Sequence, residues 1–411
     1  MQKSEAVAIL MQLNLTEITF LFPQDMELDT VRSLPPDEIF SDLSVSFLSA
    51  LSSVLTKNQL TKSYPDVATF AFFCRKANIL ANKRKYEGDA IRLGRGVVFH
   101  ITPSNVPVNF GYSMVAGILS GDVNIVRVPS EHFEQVDIIC RAIEQVTDLP
   151  EFVIFKKRLF LVRYDRQSSV TTVLSSLCDV RIIWGGDETI AQIRQSVLPP
   201  RSFDVTFADR YSLAAINADA LINETNLGKL AEGFYNDTYL FDQNACSAPR
   251  LVLWTGTKEN IIEGKNLFWE AVQKRLEQYK LSSILSMDKL SALYWQSTQC
   301  EGIQRVKLKD NKLWRIHISN LSPDIDKYRC AGGYFLEYEA ASLNELKEIV
   351  NRKYQTLAYY GYSREELSDF VKFNRLNGID RIVPFGKTTD FDLVWDGYDL
   401  IRSLSRECSI G

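Results

Sequence analysis

The feature that most constrains this chain is a regular alternation of strand-like and helix-like segments between residues 90 and 200. Short apolar runs of strand length are separated by stretches with helical periodicity. The strand-like runs occupy residues 96–101, 123–128, 159–162 and 180–184, and the helical patterns occupy residues 107–119, 130–146 and 185–197. Strands that alternate with helices at this spacing pair in parallel. The alternation therefore predicts a layered α/β sheet.

The second half of the chain repeats this alternation after an interruption. The helical pattern stops between residues 199 and 210, so we place a domain boundary near residue 212. Strands are then predicted at residues 211–216, 314–318, 333–338 and 357–362, with helices at residues 219–241, 260–279, 343–352 and 364–375. The predicted organisation is a helical segment (1–80, with its first helix at 6–13), two α/β domains (81–212 and 213–389), and a tail (390–411) that we expect to pack on the first domain.

Composition limits the functional classes. The chain has 411 residues with 47 basic and 51 acidic side chains, and its net charge of −4 does not indicate a nucleic-acid partner. Seven cysteines, an odd number without a CxxC pair, argue against a disulfide framework or a zinc site and fit a reducing compartment. The first residues lack a signal-peptide pattern, and no apolar stretch reaches membrane-spanning length. We therefore expect a cytoplasmic protein with no membrane span and no metal.

A cysteine among small and polar residues is the first candidate for chemistry. Cys246 stands in the segment Asp-Gln-Asn-Ala-Cys-Ser-Ala-Pro-Arg (242–250), between an amphipathic stretch and an apolar run. This setting predicts a short turn between a helix and a strand. A thiolate there could attack a carbonyl carbon while backbone N–H groups hold the oxyanion. The alternative is a buried structural cysteine, which is the commoner role of a lone cysteine.

Two turns that follow predicted strands carry further candidates. Asn105 lies in the turn 102–107, where its side-chain N–H could donate to a developing negative charge, although asparagine in such a turn more often makes a local bond. Arg127 ends the second strand and is followed by Ser130. Because the carboxyl ends of parallel strands face ligand crevices, this pair could bind a phosphate. A surface arginine beside a helix cap is an equally good interpretation.

The third turn contains Gly185 and Gly186, between a strand and a helix. Glycines there allow close approach of the backbone and can present N–H groups to an anion, but a plain strand–helix turn has the same sequence. The motif is not GxGxxG. The single GxG of the chain, at residues 94–96, precedes a strand instead of following one, so it does not indicate a dinucleotide fingerprint.

Together these motifs resemble the aldehyde dehydrogenase superfamily and, within it, the fatty acyl-CoA reductases of bacterial luminescence systems (LuxC type). The resemblance covers roughly residues 70–411. It rests on His-Ile-Thr-Pro-Ser-Asn-Val-Pro (100–107), Phe-Asp-Gln-Asn-Ala-Cys-Ser (241–247), Tyr-Gln-Thr-Leu (354–357) and Trp-Asp-Gly (395–397). It implies two three-layer α/β domains, a Rossmann-like cofactor domain and a catalytic domain, behind a helical N-terminal segment.

The resemblance also implies a reaction, the nicotinamide-dependent reduction of an acyl thioester to an aldehyde. Cys246 would be the acylated nucleophile, and Asn105 and the backbone N–H of Cys246 would form the oxyanion hole. The glycines at residues 185 and 186 would belong to the cofactor site. Arg127 replaces a lysine that typical superfamily members place against the adenosine ribose. Paired with Ser130, it resembles a receptor for the 2′-phosphate of NADPH, and NADH stays open as the alternative cofactor.

This sequence departs from the superfamily at one position that distinguishes reductases from aldehyde-oxidising enzymes. Aldehyde-oxidising members carry a glutamate that activates water. Aligned backward from residues 211–216, that position falls at or near Phe207, where no glutamate occurs. A site without this base would protect an acyl-enzyme from hydrolysis. A slip of the alignment by a few residues would make Asp204 or Asp209 a candidate base.

Two other functions stay open on the sequence. One is oxidation of an aldehyde to an acid, and the other is a non-catalytic subunit that keeps the fold as an acyl carrier. The expected partners are acyl-CoA or an acylated carrier or partner protein, a second copy of the chain in a homo-oligomer, and an acyl-protein synthetase. Acyl chain length has no marker in the sequence.

Overall fold

The computed structural model describes residues 17–23, 31–88, 90–103, 106–166, 169–306 and 310–410. The chain divides into two compact units, the first formed by residues 1–208 with 393–411 and the second by residues 209–392. The strands are β1 Thr19–Phe22, β2 Arg92–Gly94, β3 Val97–Ile101, β4 Val123–Arg127, β5 Leu159–Arg163, β6 Val180–Trp184, β7 Phe203–Phe207, β8 Tyr211–Asn217, β9 Pro249–Thr255, β10 Gln304–Val306, β11 Trp314–His317, β12 Tyr334–Glu339, β13 Tyr354–Tyr360, β14 Arg381–Pro384, β15 Val394–Trp395, β16 Tyr398–Asp399 and β17 Ser405–Glu407.

Helices separate most of these strands. The α-helices are Asp42–Lys57, Pro65–Phe73, Lys76–Lys83, Asn109–Ser120, Glu134–Thr147, Phe155–Arg158, Val170–Leu177, Asp187–Ile193, Ala218–Leu221, Leu227–Thr238, Lys258–Arg275, Ser283–Gln299, Arg364–Asn374 and Leu400–Leu404. Within the described ranges, none of them is both long and apolar enough to cross a membrane.

The first unit is built on a six-stranded sheet with the order β1-β5-β4-β3-β6-β7. All neighbours pair in parallel except β1, which runs antiparallel to β5. Every residue of β3, β4 and β6 is buried, as expected for central parallel strands covered on both faces. The chain leaves β3 toward β4 and β5 and then returns to its other side with β6. The carboxyl ends of β3 and β6 therefore form a topological switch point, where open α/β sheets bind ligands.

One buried histidine belongs to this first sheet. The ring nitrogens of His100, on β3, lie 2.8 Å from Ser113 Oγ and 2.9 Å from Asn124 Oδ1. Burial lowers the pKa of His100 to about 4, although the bond to Asn124 opposes the shift. Because both ring nitrogens are bonded inside the fold, His100 is a structural residue.

The second unit contains a seven-stranded sheet with the order β10-β11-β12-β9-β8-β13-β14. Only β10 is antiparallel to its neighbour. Alternate residues of β8 enter different cores: Leu213 and Ala215 pack into one, and Ala214 and Ile216 into the other. The unit is thus a three-layer structure with a core on each face of the sheet. The α/β prediction from sequence is confirmed.

The structure differs from the expected elements at several places. The segment before residue 80 includes a strand, β1, whose aromatic and β-branched residues suit a sheet edge. The helix expected at 219–241 is interrupted: Ala218–Leu221 ends, and Asn226 caps a new helix at Leu227–Thr238 by accepting from the N–H of Lys229. The strand β7 and the helix Ser283–Gln299 were not predicted. The helix expected at residues 6–13 lies outside the described residues.

Candidate active site

Cys246 lies on the turn that leads into β9 of the second unit. Before it, the chain leaves the helix Leu227–Thr238 through a 3₁₀ turn, and Asp242 and Gln243 follow with φ angles of 51° and 62°. Two consecutive left-handed residues are uncommon outside glycine and reverse the chain sharply. The side chain of Cys246 is exposed, whereas the other cysteines of the chain are buried or half-buried. The turn therefore leaves this thiol accessible to solvent.

Gln243 holds this turn in place. Its side chain is 1% exposed and bonds to four backbone groups. Nε2 donates to the carbonyl oxygens of Pro249 (2.9 Å) and Tyr334 (3.1 Å), and Oε1 accepts from the N–H groups of Gly333 and Tyr334, both at 3.0 Å. All the hydrogen-bonding capacity of one amide thus ties the cysteine turn to the starts of β9 and β12.

Strands β8 and β13 contact Cys246 itself. The hydroxyl of Ser212 donates to the Cys246 carbonyl oxygen at 2.7 Å, and the same hydroxyl accepts from the N–H of Thr356 at 3.2 Å. The side-chain amide of Gln355 donates to Cys246 Sγ at 3.3 Å. Because β8 and β13 are neighbours with Tyr211 opposite Tyr354, their amino ends lie together beneath the turn.

Three carboxylates at this edge of the sheet, where the parallel strands begin, are paired with cations. Asp209 accepts two bonds from Arg329, at 2.6 and 2.8 Å. Burial raises the pKa of Asp209, but the bonds to Arg329 and its charge outweigh burial and lower this pKa below its usual value. Lys353 lies 2.8 Å from Asp326, and Arg210 is paired with Asp380. A carboxylate with a lowered pKa is a poor base.

The two other positions considered for a base belong to the first unit. Asp204 lies 2.7 Å from Arg181 and 3.2 Å from Arg194, so arginines hold it as well. Phe207 ends β7 and stacks on Trp184 with ring centroids 3.7 Å apart. The three positions considered for a base are Asp204, Phe207 and Asp209. None of them therefore presents an unpaired carboxylate.

The three histidines of the chain do not supply a general base in place of these carboxylates. His100 is engaged inside the first unit, and His132 lies 3.2 Å from Asp137 there. His317 ends β11 in the second unit. Because β11, β12 and β9 are parallel, this carboxyl end lies at the opposite edge of the sheet from the turn before β9 that carries Cys246.

The predicted phosphate pair comes together in the first unit. Arg127, 6% exposed, donates through Nη2 to Ser130 Oγ and to the Tyr164 carbonyl oxygen, each at 3.1 Å. Its guanidinium lies over the Tyr164 ring, 4.8 Å from the centroid, and burial lowers the Arg127 pKa. Among the described residues, Arg127 Nε is buried without a hydrogen-bond partner, and so is Nη2 of Arg163 at the end of neighbouring β5. Two such buried N–H donors, at the ends of adjacent strands, could bind an anion.

The other residues predicted for the site are Gly185, Gly186 and Asn105. The N–H of Gly185 donates to the Phe207 carbonyl oxygen at 3.1 Å, so the fold uses this donor. Gly186 precedes the helix Asp187–Ile193, and a Cβ there would meet nothing within 4 Å. Asn105 lies outside the described residues. Among the described residues, no group of three or more histidine, cysteine or acidic side chains is arranged to hold a metal ion.

Comparison with known proteins connects this geometry to a family. Residues 77–407 match the family model described as Acyl-CoA reductase (LuxC). The chain belongs to this family. Its curated relatives include the long-chain acyl-protein thioester reductases of Vibrio harveyi, 24% identical over 76% of this chain and 63% of the relative, and of Aliivibrio fischeri, 25% identical over 72% and 60%. The chain spans less than two thirds of the length of either relative.

Solved structures show the fold of this LuxC-family chain. Aldehyde dehydrogenase 21 from Physcomitrella patens superposes with a TM-score of 0.65 at 11% identity, covering 92% of this chain and 88% of its own. A 1-pyrroline-5-carboxylate dehydrogenase from Thermus with bound NAD gives 0.62 at 14% identity, covering 92% and 82%. The predicted aldehyde dehydrogenase-like fold is confirmed.

Three residues of the site had no role assigned from sequence. Gln243 belongs to the cysteine motif, Gln355 to a segment that carried the family resemblance, and Ser212 to a predicted strand. Their contacts with the cysteine turn join positions that are 34 to 109 residues apart in the chain. The signals available in the sequence were the family motifs that contain Gln243 and Gln355, and the polar residues Ser212 and Gln355 near the starts of strands that are otherwise apolar.

Proposed function

We propose that this LuxC-family chain reduces an acyl thioester to the aldehyde through an acyl group carried on Cys246. The observation that carries the proposal is the exposed thiol on a turn fixed by buried hydrogen bonds, with a side-chain amide donor 3.3 Å from the sulfur. An exposed thiol held in one orientation is the arrangement that nucleophilic catalysis requires. Membership of the acyl-CoA reductase family supplies the substrate class.

The proposed reaction has two chemical stages on the cysteine. The Cys246 thiolate attacks the thioester carbonyl, a new C–S bond forms, and the donor's thiol leaves after taking a proton from solvent. A nicotinamide cofactor, when bound, would supply hydride to the acyl carbon. The bond between the acyl carbon and the Cys246 sulfur breaks, its electron pair returns to that sulfur, and the aldehyde departs. One thioester, one hydride and one proton thus give one aldehyde and one thiol.

The surroundings of Cys246 favour this reduction over hydrolysis to an acid. Within the described part of the second unit, the aspartates before β8, β12 and β14 that share this edge are paired with arginine or lysine, and Asp242 accepts from the Tyr279 hydroxyl. Activation of water requires a carboxylate or an imidazole able to accept a proton. An acyl group on this cysteine would therefore persist until hydride reaches it.

For the cofactor we propose NADPH, bound in the first unit. Arg127 Nε and Arg163 Nη2 are buried donors that find no partner in the described part of the chain, and a 2′-phosphate would satisfy such donors. Ser130 stands beside Arg127 and would bond the same group. Gly186 has open space around it and would allow a close approach of the cofactor. We propose Asn105 as an oxyanion donor on the family resemblance alone.

The acyl donor that we propose is an acyl-CoA or an acylated protein. The family model is described for acyl-CoA, and the curated relatives are described as acting on acyl-protein thioesters. By the same resemblance we propose that the chain self-associates and receives acyl groups from an acyl-protein synthetase.

The test is intact-protein mass spectrometry after mixing with acyl-CoAs of graded chain length and no cofactor. We expect one added acyl mass on the peptide that contains Cys246, and its discharge as aldehyde when NADPH is added. Cys246→Ser should remove both signals, whereas Cys330→Ser should keep both, because burial raises the pKa of the Cys330 thiol. Labelling that survives Cys246→Ser would overturn the proposal. Free acid formed from an aliphatic aldehyde and NADP⁺ would favour the oxidising alternative.

A further inference from the structure

We propose that Gln355 is a catalytic residue that stabilises the thiolate of Cys246. The proposal rests on the proposed function, since it concerns the nucleophile of that reaction. Gln355 Nε2 donates to Cys246 Sγ at 3.3 Å across 109 residues of sequence. A hydrogen-bond donor aimed at an ionisable atom favours the charged form of that atom, because the bond to the anion is the stronger one.

The neighbouring Thr356 binds the other end of this amide. Thr356 Oγ1 donates to Gln355 Oε1 at 3.2 Å, so the oxygen end of the amide is occupied and the NH₂ end is turned to the sulfur. The side chains of Gln355 and Thr356 are each 1% exposed. A buried amide held at its oxygen has little freedom to rotate, and so the donor is in place before substrate binds.

Charged groups at the same edge are committed to other partners. The pairs are Asp209 with Arg329, Asp326 with Lys353, Arg210 with Asp380, Asp242 with the Tyr279 hydroxyl, and Arg250 with the Cys330 carbonyl oxygen. The histidine of this unit, His317, lies at the opposite edge of the sheet. The sulfur therefore faces an oriented neutral donor, and the described part of this edge offers no histidine to accept the thiol proton.

A neutral hydrogen-bond donor can stabilise the Cys246 thiolate both before the acyl group is attached and after the aldehyde leaves. The thiol of Cys246 loses its proton to solvent, and Gln355 stabilises the resulting thiolate before it attacks. While the acyl group is attached, the sulfur carries no charge and gains less from the bond. When the C–S bond breaks, the electron pair returns to the sulfur and the same N–H group stabilises it again. A histidine in this place would have to change its protonation state twice per turnover.

The test is the pH dependence of iodoacetamide alkylation, followed on the Cys246 peptide by mass spectrometry in the full-length chain. Gln355→Met keeps an unbranched side chain of similar length and removes the donor. We expect the apparent pKa of alkylation to rise by about one to two pH units, the size of a hydrogen bond to a charged group. Below this pKa, alkylation should slow by about tenfold or more.

A second variant and a control separate this role from a structural one. Gln355→Glu has the same shape and places a carboxylate at the sulfur, so it should raise the apparent pKa further, and it decides the matter if Gln355→Met does not fold. Gln296→Met removes another buried glutamine of this unit, whose Oε1 accepts from the Tyr334 hydroxyl, and should leave the pKa of Cys246 unchanged.

Three results would each contradict one of the two proposals. If both Gln355 variants titrate like the parent while the parent is acylated on Cys246, the role of Gln355 is wrong and the proposed function stands. If the parent is never acylated on Cys246, the proposed function fails, whatever the alkylation profile shows. A variant that only unfolds more easily, with the parent's alkylation pKa, would also overturn the role of Gln355.

Discussion

Replacing Gln243 by methionine tests whether one buried amide fixes the cysteine turn. Gln243→Met keeps the length of the side chain and removes four hydrogen bonds to backbone groups. The N–H groups of Gly333 and Tyr334 and the carbonyl oxygens of Pro249 and Tyr334 lose this partner. All three residues are buried, so water does not replace the bonds freely.

The magnitude follows from the groups that become unpaired. A buried donor left without a partner costs about 1–3 kcal/mol. Two such N–H groups therefore predict a loss of about 2–6 kcal/mol in the free energy of unfolding, and the two carbonyl groups add to it. Since a domain is stable by about 5–15 kcal/mol, this single change would remove a large part of the stability of the second unit.

Urea unfolding followed by tryptophan fluorescence measures this loss, because four of the six tryptophans, at positions 254, 269, 295 and 314, lie in the second unit. Asn244→Ala is the matched control, since Asn244 is an exposed residue of the same turn and should change the free energy of unfolding by less than about 0.5 kcal/mol. We also expect slower acylation of Cys246 in Gln243→Met. A loss of less than about 1 kcal/mol in this variant would refute the account of the turn.

Two further predictions concern the first unit. Arg127→Met should raise the KM for NADPH by roughly tenfold or more and leave the KM for NADH nearly unchanged, because a hydrogen bond to a charged phosphate contributes about 1.5–3 kcal/mol; steady-state kinetics with both cofactors checks this, and equal losses would contradict it. The pKa of His100 is lowered to about 4 in the folded protein, so the unfolded chain binds a proton on this side chain at higher pH than the folded chain does. The free energy of unfolding should therefore fall as pH drops from about 6.5 to 4, by at most about 1.4 kcal/mol per pH unit. Thermal or urea unfolding of His100→Gln across this range should show a weaker pH dependence, and an unchanged slope would contradict the assignment.

The central strands of both sheets could be predicted from sequence, and the edge strands could not. β3, β4 and β6 are buried at every residue and therefore form continuous apolar runs. The strands missed from both sheets, β1, β7, β10 and β14, are the outermost strands of those sheets. Most of their residues are only partly buried or exposed, so their apolar pattern is weak. Periodicity reports burial, and an edge strand has a neighbour on one side only.

The sequence by itself determined the alternation of elements and the likeness to one family, and it singled out the cysteine that we propose as the nucleophile. These depend on burial patterns and motifs that lie within a few residues of one another. The tertiary structure alone decided what surrounds the sulfur. Ser212 and Gln355 reach Cys246 because the sheet order places β8 between β9 and β13. Strand order is set by packing between distant segments, and no local periodicity encodes which strands become neighbours.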